Sequence, residues 1–288
     1  MIEELEAHLH PQAQMKVIEA FQNETDVQFI LTTHSPNLAS KVKIDNLLMC
    51  DEKNIFPLRE SKLSSNNYTY LERFLDVTKS NLFFAKGVIL VEGWSEEILI
   101  PTIAKQIGYD LTKIEVSIVN VGSTAYLHFA KIFLRDDNNR INTRVSIVTD
   151  LDNRPDDNGI FDDDEKKKKE DKIKLQKEFE NTNVEMFVAK EWTLEWCLYK
   201  SSSLSEFFKE SVSEIHSKTK EFEKINDSFD NEKFEEKLCE KLKNRTLDKV
   251  AIANVLSNKI EKSNINHYDN DDYINYIIKA IKYVCGNK

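Results

Sequence analysis

The sequence predicts an α/β protein in which a parallel sheet is flanked by helices and followed by a helical C-terminal region. Strands are predicted at 87–92, 114–120, 144–150 and 184–189, and the continuous apolar run Val88 to Val91 is typical of a parallel strand covered on both faces. Between them lie segments with helical periodicity, which we predict as helices over 95–107 and 123–134. Strands that alternate with helices favour a parallel sheet.

The composition is that of a globular protein. The chain has 288 residues, 40% of them hydrophobic, and a formal net charge of −10. That charge argues against broad nonspecific binding to nucleic acid, although a local basic face or a bound metal can reverse the sign where it matters. The four cysteines have no paired metal-type spacing. Without a signal peptide or an apolar run long enough for a membrane, we expect a cytoplasmic protein with no membrane partner.

The first part of the chain reads as a separate unit that ends near residue 78. Two acids, Glu3 and Glu4, precede an amphipathic helix predicted over 11–23. The apolar run from Val27 then predicts a buried strand that ends at His34. Alternating residues over 45–58 predict a hairpin, and helical spacing predicts a helix over 66–79.

Acidic residues follow two of the predicted parallel strands. Glu92 comes directly after the run Val88–Val91, and Gly93 gives the backbone freedom to turn there. Asp150 and Asp152 follow the strand that begins near residue 144. Open α/β sheets place their sites at the carboxyl edge of the strands. A cluster of carboxylates there repels itself unless hard cations neutralise it, so the pattern predicts a Mg²⁺ or Mn²⁺ site.

The remaining segments are more charged. Ser95 is predicted as the N-cap of the first helix, which Pro101 would kink.

The insertion over 153–180 contains the run Lys166 to Lys174, which reads either as a solvated helix with i, i+4 pairs or as a contact surface for substrate phosphates. We expect the C-terminal part over 202–288 to cover the sheet and lean over the cleft, with helices at 204–223, 231–243, 247–261 and 271–284.

The strand-Glu-Gly turn followed by strand-Asp-x-Asp resembles a Toprim domain, the metal-binding fold of topoisomerases, primases and a group of nucleases. The segment from Val91 to Glu96 is similar to the version in OLD-family (overcoming lysogenization defect) nucleases, in which an ABC-type ATPase precedes the Toprim nuclease. The resemblance implies a metal-dependent DNA endonuclease or nickase. Its ligands to one or two Mg²⁺ or Mn²⁺ ions would be Glu92, Glu96, Asp150, Asp152 and Glu195, the last from the step Thr193-Leu-Glu195.

The N-terminal residues resemble the end of a Walker B strand and the D-loop of ABC-type ATPases. By that resemblance Glu3 would help to hold Mg²⁺, Glu4 would polarise the attacking water, and His34 would sense the γ-phosphate; the alternative for His34 is a buried structural histidine. No Gly-x-x-x-x-Gly-Lys-Ser/Thr loop occurs in the sequence, so nothing cradles nucleotide phosphates. We therefore expect residues 1–78 to be the C-terminal fragment of an ATPase domain and residues 79–288 to be the Toprim nuclease domain, with ATP used only by the full-length protein.

The resemblance also implies roles for two further residues. OLD-like nucleases carry a catalytic lysine in the C-terminal region, and Lys249 is the best match, with Lys243 and Lys259 as rivals. Gly122 is similar to the family's small residue beside the metal cleft, and the alternative is a turn glycine.

The partners expected are DNA, a second copy of the chain in a homodimer or higher homo-oligomer, and a helicase or other defence-system protein. Nothing resembles the context of a covalent tyrosine nucleophile, which argues against a topoisomerase, and we find no template-binding modules for a primase. The alternative from another class is a non-catalytic, regulatory ATPase/Toprim subunit that serves as an interaction module in a phage-defence or DNA-repair complex. Nicking of supercoiled plasmid with Mn²⁺ separates the two.

Overall fold

The computed structural model describes most of the chain. The described residues are 1–24, 26–51, 53–136, 140–152, 164–219, 221–224, 228–263 and 268–286. Residues 153–163 of the predicted charged insertion lie outside them.

The N-terminal part is helical with one small hairpin. Its elements are α1 (Pro11–Asn23), α2 (Pro36–Ala39), β1 (Leu48–Cys50), β2 (Ile55–Pro57) and α3 (Ser65–Phe74). The predicted helix over 11–23 and the predicted hairpin are confirmed, since β1 and β2 pair antiparallel. The helix predicted over 66–79 ends at Phe74, and a separate 3₁₀ turn covers Lys79–Phe83.

The buried strand predicted from Val27 to His34 is wrong. Only an isolated parallel bridge between Ile2 and Leu31 forms there, and Val27 and Ile30 are 55% and 54% exposed. A parallel strand is buried when neighbouring strands and helices cover it. In the described part of the chain, only Ile2 forms a β-bridge with this segment, so Val27 and Ile30 stay at the surface, while Phe29 is half-buried against Phe21 of α1.

A parallel sheet forms the centre of the molecule, as predicted. Its strands are β3 (Gly87–Val91), β4 (Val116–Asn120), β5 (Arg144–Thr149) and β6 (Val184–Val188). They pair in the order β4-β3-β5-β6, and every pair is parallel. The chain moves from β3 to one side for β4 and then to the other side for β5. The point where the order reverses therefore lies between the carboxyl ends of β3 and β5, where open α/β sheets bind ligands.

The connections between these strands are helical. They contain α4 (Trp94–Gln106), α5 (Tyr126–Ala130) with a 3₁₀ turn at Lys131–Phe133, and α6 (Asp164–Glu178). The helix predicted over 123–134 is thus shorter than expected. The N-cap of α4 is Gly93, whose backbone is extended, and the predicted cap Ser95 is already inside the helix, as is Pro101.

Helices form the C-terminal part. They are α7 (Leu194–Lys200), α8 (Ser205–Ile215), α9 (Asn231–Lys243), α10 (Lys249–Glu261) and α11 (Asn275–Cys285). The sequence prediction agrees with α9, α10 and α11 to within a few residues, but α8 ends earlier than the predicted 223. No helix within the described ranges is both long and apolar enough to cross a membrane.

The sheet separates two hydrophobic cores. On β3, Ile89 and Val91 belong to the core shared with α4, α8, α10 and α11, whereas Val88 and Leu90 belong to the core shared with α3 and α5. All four side chains are fully buried. Because successive strand residues point to opposite faces, a continuous apolar run supplies both cores at once.

Helix α11 lies directly on the sheet. The Ser146 hydroxyl on β5 donates to the Ala280 carbonyl oxygen at 2.8 Å, and Arg144 Nη1 donates to the Tyr283 carbonyl oxygen at 3.1 Å. A Cβ added to Gly87 on β3 would come within 3.1 Å of the Val284 carbonyl oxygen. Such close approach requires small residues on the strands beneath the helix.

Candidate functional site

Two of the predicted acids meet at the switch point of the sheet. Glu92 follows β3 and accepts a hydrogen bond from the Thr149 hydroxyl at the end of β5. Asp150 is the next residue, and its Oδ1 accepts from the Leu194 backbone N–H at 2.8 Å. That bond ties the end of β5 to the first turn of α7.

Two more acids enter the site from helix N-termini. Glu96 lies in the first turn of α4 and is 8% exposed, and Glu195 lies in the first turn of α7 and is 3% exposed. The Thr193 hydroxyl caps α7 by accepting from the Trp196 N–H. A carboxylate near a helix N-terminus is stabilised by the helix dipole, which offsets part of the cost of burial.

These carboxylates act on one another. Burial and the charge of Glu195 raise the pKa of Glu96 to about 7. Burial and the charges of Glu96 and Glu195 hold the pKa of Asp150 well above its usual value. Burial raises the pKa of Glu92 as well, although the Thr149 hydrogen bond opposes the shift. Glu92, Glu96, Asp150 and Glu195 therefore form a cluster of carboxylates that repel one another.

Lys249 supplies positive charge on one side of the cluster. Its Nζ lies 2.7 Å from Oε2 of Glu195, and that carboxylate side chain is only 4% exposed. Burial opposes the charge of Lys249, but Glu195 raises its pKa, so the ammonium form is favoured. Of the rival lysines, Lys259 pairs with Glu214 at 3.3 Å. Lys243 is absent from the described residues that line the cleft.

Asp152 lies at the outer rim of the site. It is exposed, and its backbone has a positive φ of 59°. Its carbonyl oxygen accepts from Lys168 Nζ at 2.6 Å, and its Oδ2 lies 3.9 Å from Lys172 Nζ. After burial, which is the larger cause, the charge of Asp152 contributes to the raised pKa of Glu92.

Sequence reasoning missed a polar group beneath this rim. Lys172 Nζ donates to Thr149 Oγ1 at 2.8 Å and to the Tyr126 hydroxyl at 3.2 Å. Thr149 is 2% and Tyr126 1% exposed. Thr149, a hydroxyl in an otherwise apolar strand end directly before Asp150, was the available signal. Lys174 on the same helix instead pairs with Asp171 and is 71% exposed.

A cleft of about 580 Å³ opens at this edge. Asp150 and Asp152 line it, together with the basic residues Lys168, Lys241, Arg245 and Lys249 from α6, α9, the turn after α9 and α10. The cleft therefore brings carboxylates and cations together, as in the contact of Lys168 with the Asp152 carbonyl oxygen.

The donor set fits a hard divalent cation by its chemistry. Buried carboxylate oxygens that raise one another's pKa are the ligands that Mg²⁺ and Mn²⁺ neutralise. As placed, however, no three acidic, histidine or cysteine side chains among the described residues form a ready metal-binding group. Binding an ion here would therefore require the carboxylates to rearrange.

Gly122 sits in a turn after β4. Its φ is +74°, its N–H donates to Asn120 Oδ1 at 2.9 Å, and an added Cβ would meet nothing within 4 Å. A left-handed backbone favours glycine, and the geometry accounts for the residue as a turn glycine.

The predicted nucleotide residues form a second, exposed group. Glu3, Glu4 and His34 are all exposed, and the Glu4 N–H donates to Thr32 Oγ1 at 3.3 Å. The acid that contacts the His34 segment is Glu6, which the sequence analysis did not name. Its carboxylate accepts from the His34 N–H at 2.6 Å and from the Thr33 hydroxyl at 2.7 Å. Burial opposes ionisation, but these hydrogen bonds lower the pKa of Glu6.

The sheet order and the acids at its switch point define a Toprim-type α/β domain. Residues 83–152 match the family described as overcoming lysogenization defect protein-like, TOPRIM domain. Residues 1–40 match the family described as AAA domain, putative AbiEii toxin, Type IV TA system. The chain thus carries an OLD-like Toprim domain and an AAA-type segment, which confirms the resemblance inferred from the sequence.

Solved structures with some similarity include C-terminal regions of OLD proteins from two bacteria. The Xanthomonas campestris pv. campestris structure phased with iodine is 23% identical, with a TM-score of 0.46 over 70% of this chain and 95% of that one. The Burkholderia pseudomallei structure is 21% identical, with a TM-score of 0.45 over 70% and 98%. A comparison with curated proteins gave no significant match.

Proposed function

We propose that this chain is the nuclease part of a metal-dependent DNA endonuclease or nickase. The observation that carries the proposal is the cluster of mutually repelling carboxylates at the switch point of the sheet, with Lys249 beside it. Lys168, Lys241 and Arg245, here called the basic wall, line the same cleft as Asp150 and Asp152. An OLD-like Toprim domain over residues 83–152 supports a nuclease-type function.

The residues that would hold Mg²⁺ or Mn²⁺ are Glu92, Glu96, Asp150, Asp152 and Glu195. When bound, one or two such ions activate water and neutralise the leaving oxygen in a displacement at phosphorus. The buried positions of Glu96 and Glu195 keep bulk water away from the inner side of the cluster. The exposed Asp152 lies on the side from which a substrate strand would enter.

Lys249 is the residue suited to stabilise charge on the phosphate. Its ammonium is anchored by Glu195 at 2.7 Å while 42% of the side chain remains exposed, so it can donate into the cleft without leaving its partner. Preorganised donors of this kind act where charge builds up in the transition state.

The basic wall would bind the backbone of the DNA. Arg245 follows α9 with a φ of 56° and lines the cleft together with Lys168 and Lys241. Contacts of lysine and arginine with phosphates give affinity that depends on salt but not on sequence. These residues, of which Lys241 is paired with Glu221 at 2.7 Å, would supply the local positive charge that a chain with net charge −10 needs to hold DNA.

Nicking of supercoiled plasmid with Mn²⁺ tests the proposal. Wild type is expected to give nicked or linear product, and Asp150→Asn to give none at equal folding. Arg245→Ala should weaken DNA binding and reduce the dependence of log affinity on log salt by about one. Lys113→Ala is the matched control, because Lys113 is 83% exposed and precedes β4 at the opposite edge of the sheet. Equal nicking by wild type and Asp150→Asn would refute the assignment.

In the full-length protein an ATPase domain would regulate this nuclease. Residues 1–40 provide an AAA-type segment but no phosphate-binding loop, so ATP binding requires further sequence. The mixture of buried acids and lysines in the cleft favours the enzyme over a purely regulatory subunit.

A further inference from the structure

A lysine on α6 is turned into the molecule beside the carboxylates. The Lys172 side chain is 13% exposed, in contrast to Lys174 on the same helix, which is 71% exposed. A lysine is rarely buried to this extent unless partners compensate its charge. The sequence predicts the run Lys166 to Lys174 as either a solvated helix face or a contact surface for phosphates, and Lys172 fits neither description.

The polar contacts of Lys172 connect its ammonium group to Glu92 and Asp152. Its Nζ donates to Thr149 Oγ1 at 2.8 Å, and the Thr149 hydroxyl in turn donates to Glu92. The same Nζ lies 3.9 Å from Asp152 Oδ2 and 5.7 Å from the centre of the Tyr126 ring. The ammonium group thus faces Asp152 directly and Glu92 through the Thr149 hydroxyl. We call these two acids the Glu92–Asp152 corner.

We propose that Lys172 is the resident counter-ion of the Glu92–Asp152 corner, a positioning residue that orients Glu92 through Thr149 and competes by its charge with a divalent cation. The inference rests on the proposed metal site. Without a metal, the positive charge of Lys172 offsets the repulsion between the two acids. With a metal, the same charge opposes binding and so limits the affinity of the site.

The effect of the Lys172 charge on metal affinity has a definite sign and size. An opposite charge about 4–6 Å from a carboxylate shifts its protonation equilibrium by about ten- to a thousandfold, and a metal cation experiences the same potential. Removing the charge of Lys172 should therefore tighten binding of Mn²⁺ at least about tenfold. If Lys172 had a purely structural role, replacing it would leave the Mn²⁺ affinity unchanged or weaken it through loss of packing.

The experiment is calorimetric titration of the full chain with Mn²⁺ for wild type, Lys172→Gln and Lys172→Met. The Gln variant keeps a hydrogen-bond donor for Thr149 and guards against misfolding, while the Met variant preserves the length of the side chain. Both should bind Mn²⁺ at least about tenfold more tightly. Their melting temperatures should fall below that of wild type in EDTA and show a larger rise on addition of Mn²⁺. Lys172→Arg should keep the affinity of wild type.

Two further variants separate charge from position. Lys174→Met should behave as wild type, because that side chain pairs with Asp171 away from the corner. Thr149→Val keeps the charge of Lys172 but removes the hydroxyl between it and Glu92, so binding of Mn²⁺ should weaken. Unchanged or weaker binding in both neutral Lys172 variants would overturn the inference. Failure of wild type to bind Mn²⁺ at all would instead overturn the proposed function.

Discussion

Neutralising Glu96 should stabilise the metal-free protein at alkaline pH. The pKa of Glu96 is raised from 4.5 to about 7, by burial and then by the charge of Glu195. A carboxyl group whose pKa is higher in the folded state binds its proton more tightly there, so its contribution to stability is complete below about pH 4.5 and is lost as the pH rises through about 7. The metal-free wild type should therefore lose stability between pH 5 and pH 8.

The magnitude follows from the size of the shift. One pKa unit corresponds to about 1.4 kcal/mol, so moving from 4.5 to about 7 gives about 3 kcal/mol as the cost of ionising Glu96 in the folded protein. Glu96→Gln removes that charge and should raise the free energy of unfolding at pH 8 by up to about 3 kcal/mol. At pH 5 the wild-type group is already protonated, and the two proteins should differ little.

Urea unfolding in EDTA at pH 5 and pH 8 measures the effect. Glu97→Gln is the matched control, because Glu97 is the next residue on α4 and bonds to Asn120 outside the cluster. Saturating Mn²⁺ should reverse the order at pH 8, since wild type keeps a ligand that the variant lacks. A Glu96→Gln protein that is no more stable than wild type at pH 8, or equally shifted at both pH values, would refute the reasoning.

Three other predictions concern separate parts of the molecule. Glu195→Gln should weaken Mn²⁺ affinity and DNA cleavage together. Lys249→Ala should instead lower single-turnover cleavage by roughly a hundredfold to a thousandfold with nearly unchanged Mn²⁺ affinity. Cleavage by Lys249→Ala at the parental rate would exclude Lys249 as a catalytic residue. Burial opposes ionisation of Asp271, but hydrogen bonds from Ser201, Ser203 and Tyr273 lower its pKa, so its contribution to stability is present above about pH 4 and lost as the pH falls. Asp271→Asn should therefore cost about 1–3 kcal/mol in urea unfolding at pH 7 and less at pH 3, and an equal loss at both would contradict this. Finally, an ATP analogue with Mg²⁺ should shift the melting temperature no more than Mg²⁺ alone does, because the sequence has no phosphate-binding loop. A clear further shift caused by the analogue would contradict this prediction.

The sheet and its two strongest acids could be predicted because local pattern and topology agree. A short, continuous apolar run such as Val88–Val91, followed by a glycine turn, is typical of a strand with both faces covered, and alternation with helices then favours a parallel sheet. Once the strands are parallel, Glu92 and Asp150 must share an edge. The helix over 11–23 was equally clear from its periodicity.

Other parts depend on partners that a sequence does not reveal. The run from Val27 to His34 has the composition of a buried strand, but its burial depends on neighbouring strands. The inward turn of Lys172 depends on how α6 is rotated over Thr149, and in a segment dominated by lysines no single one is distinguished. Glu6 was overlooked because it lies beside two other acids, and only the fold shows which of them reaches His34.

The position of α11 sets a limit on when the sheet can assemble. Its contacts with β5, such as the one between Ser146 and Ala280, join residues 134 positions apart, and Gly87 on β3 packs against Val284. During synthesis the strands leave the ribosome long before α11, so the part of the sheet face that α11 covers, on β3, β5 and β6, stays open until residues 275–285 are available. Long-range closure of this kind slows folding and exposes apolar surface meanwhile. Removal of α11 should therefore yield an aggregation-prone chain rather than a smaller folded domain.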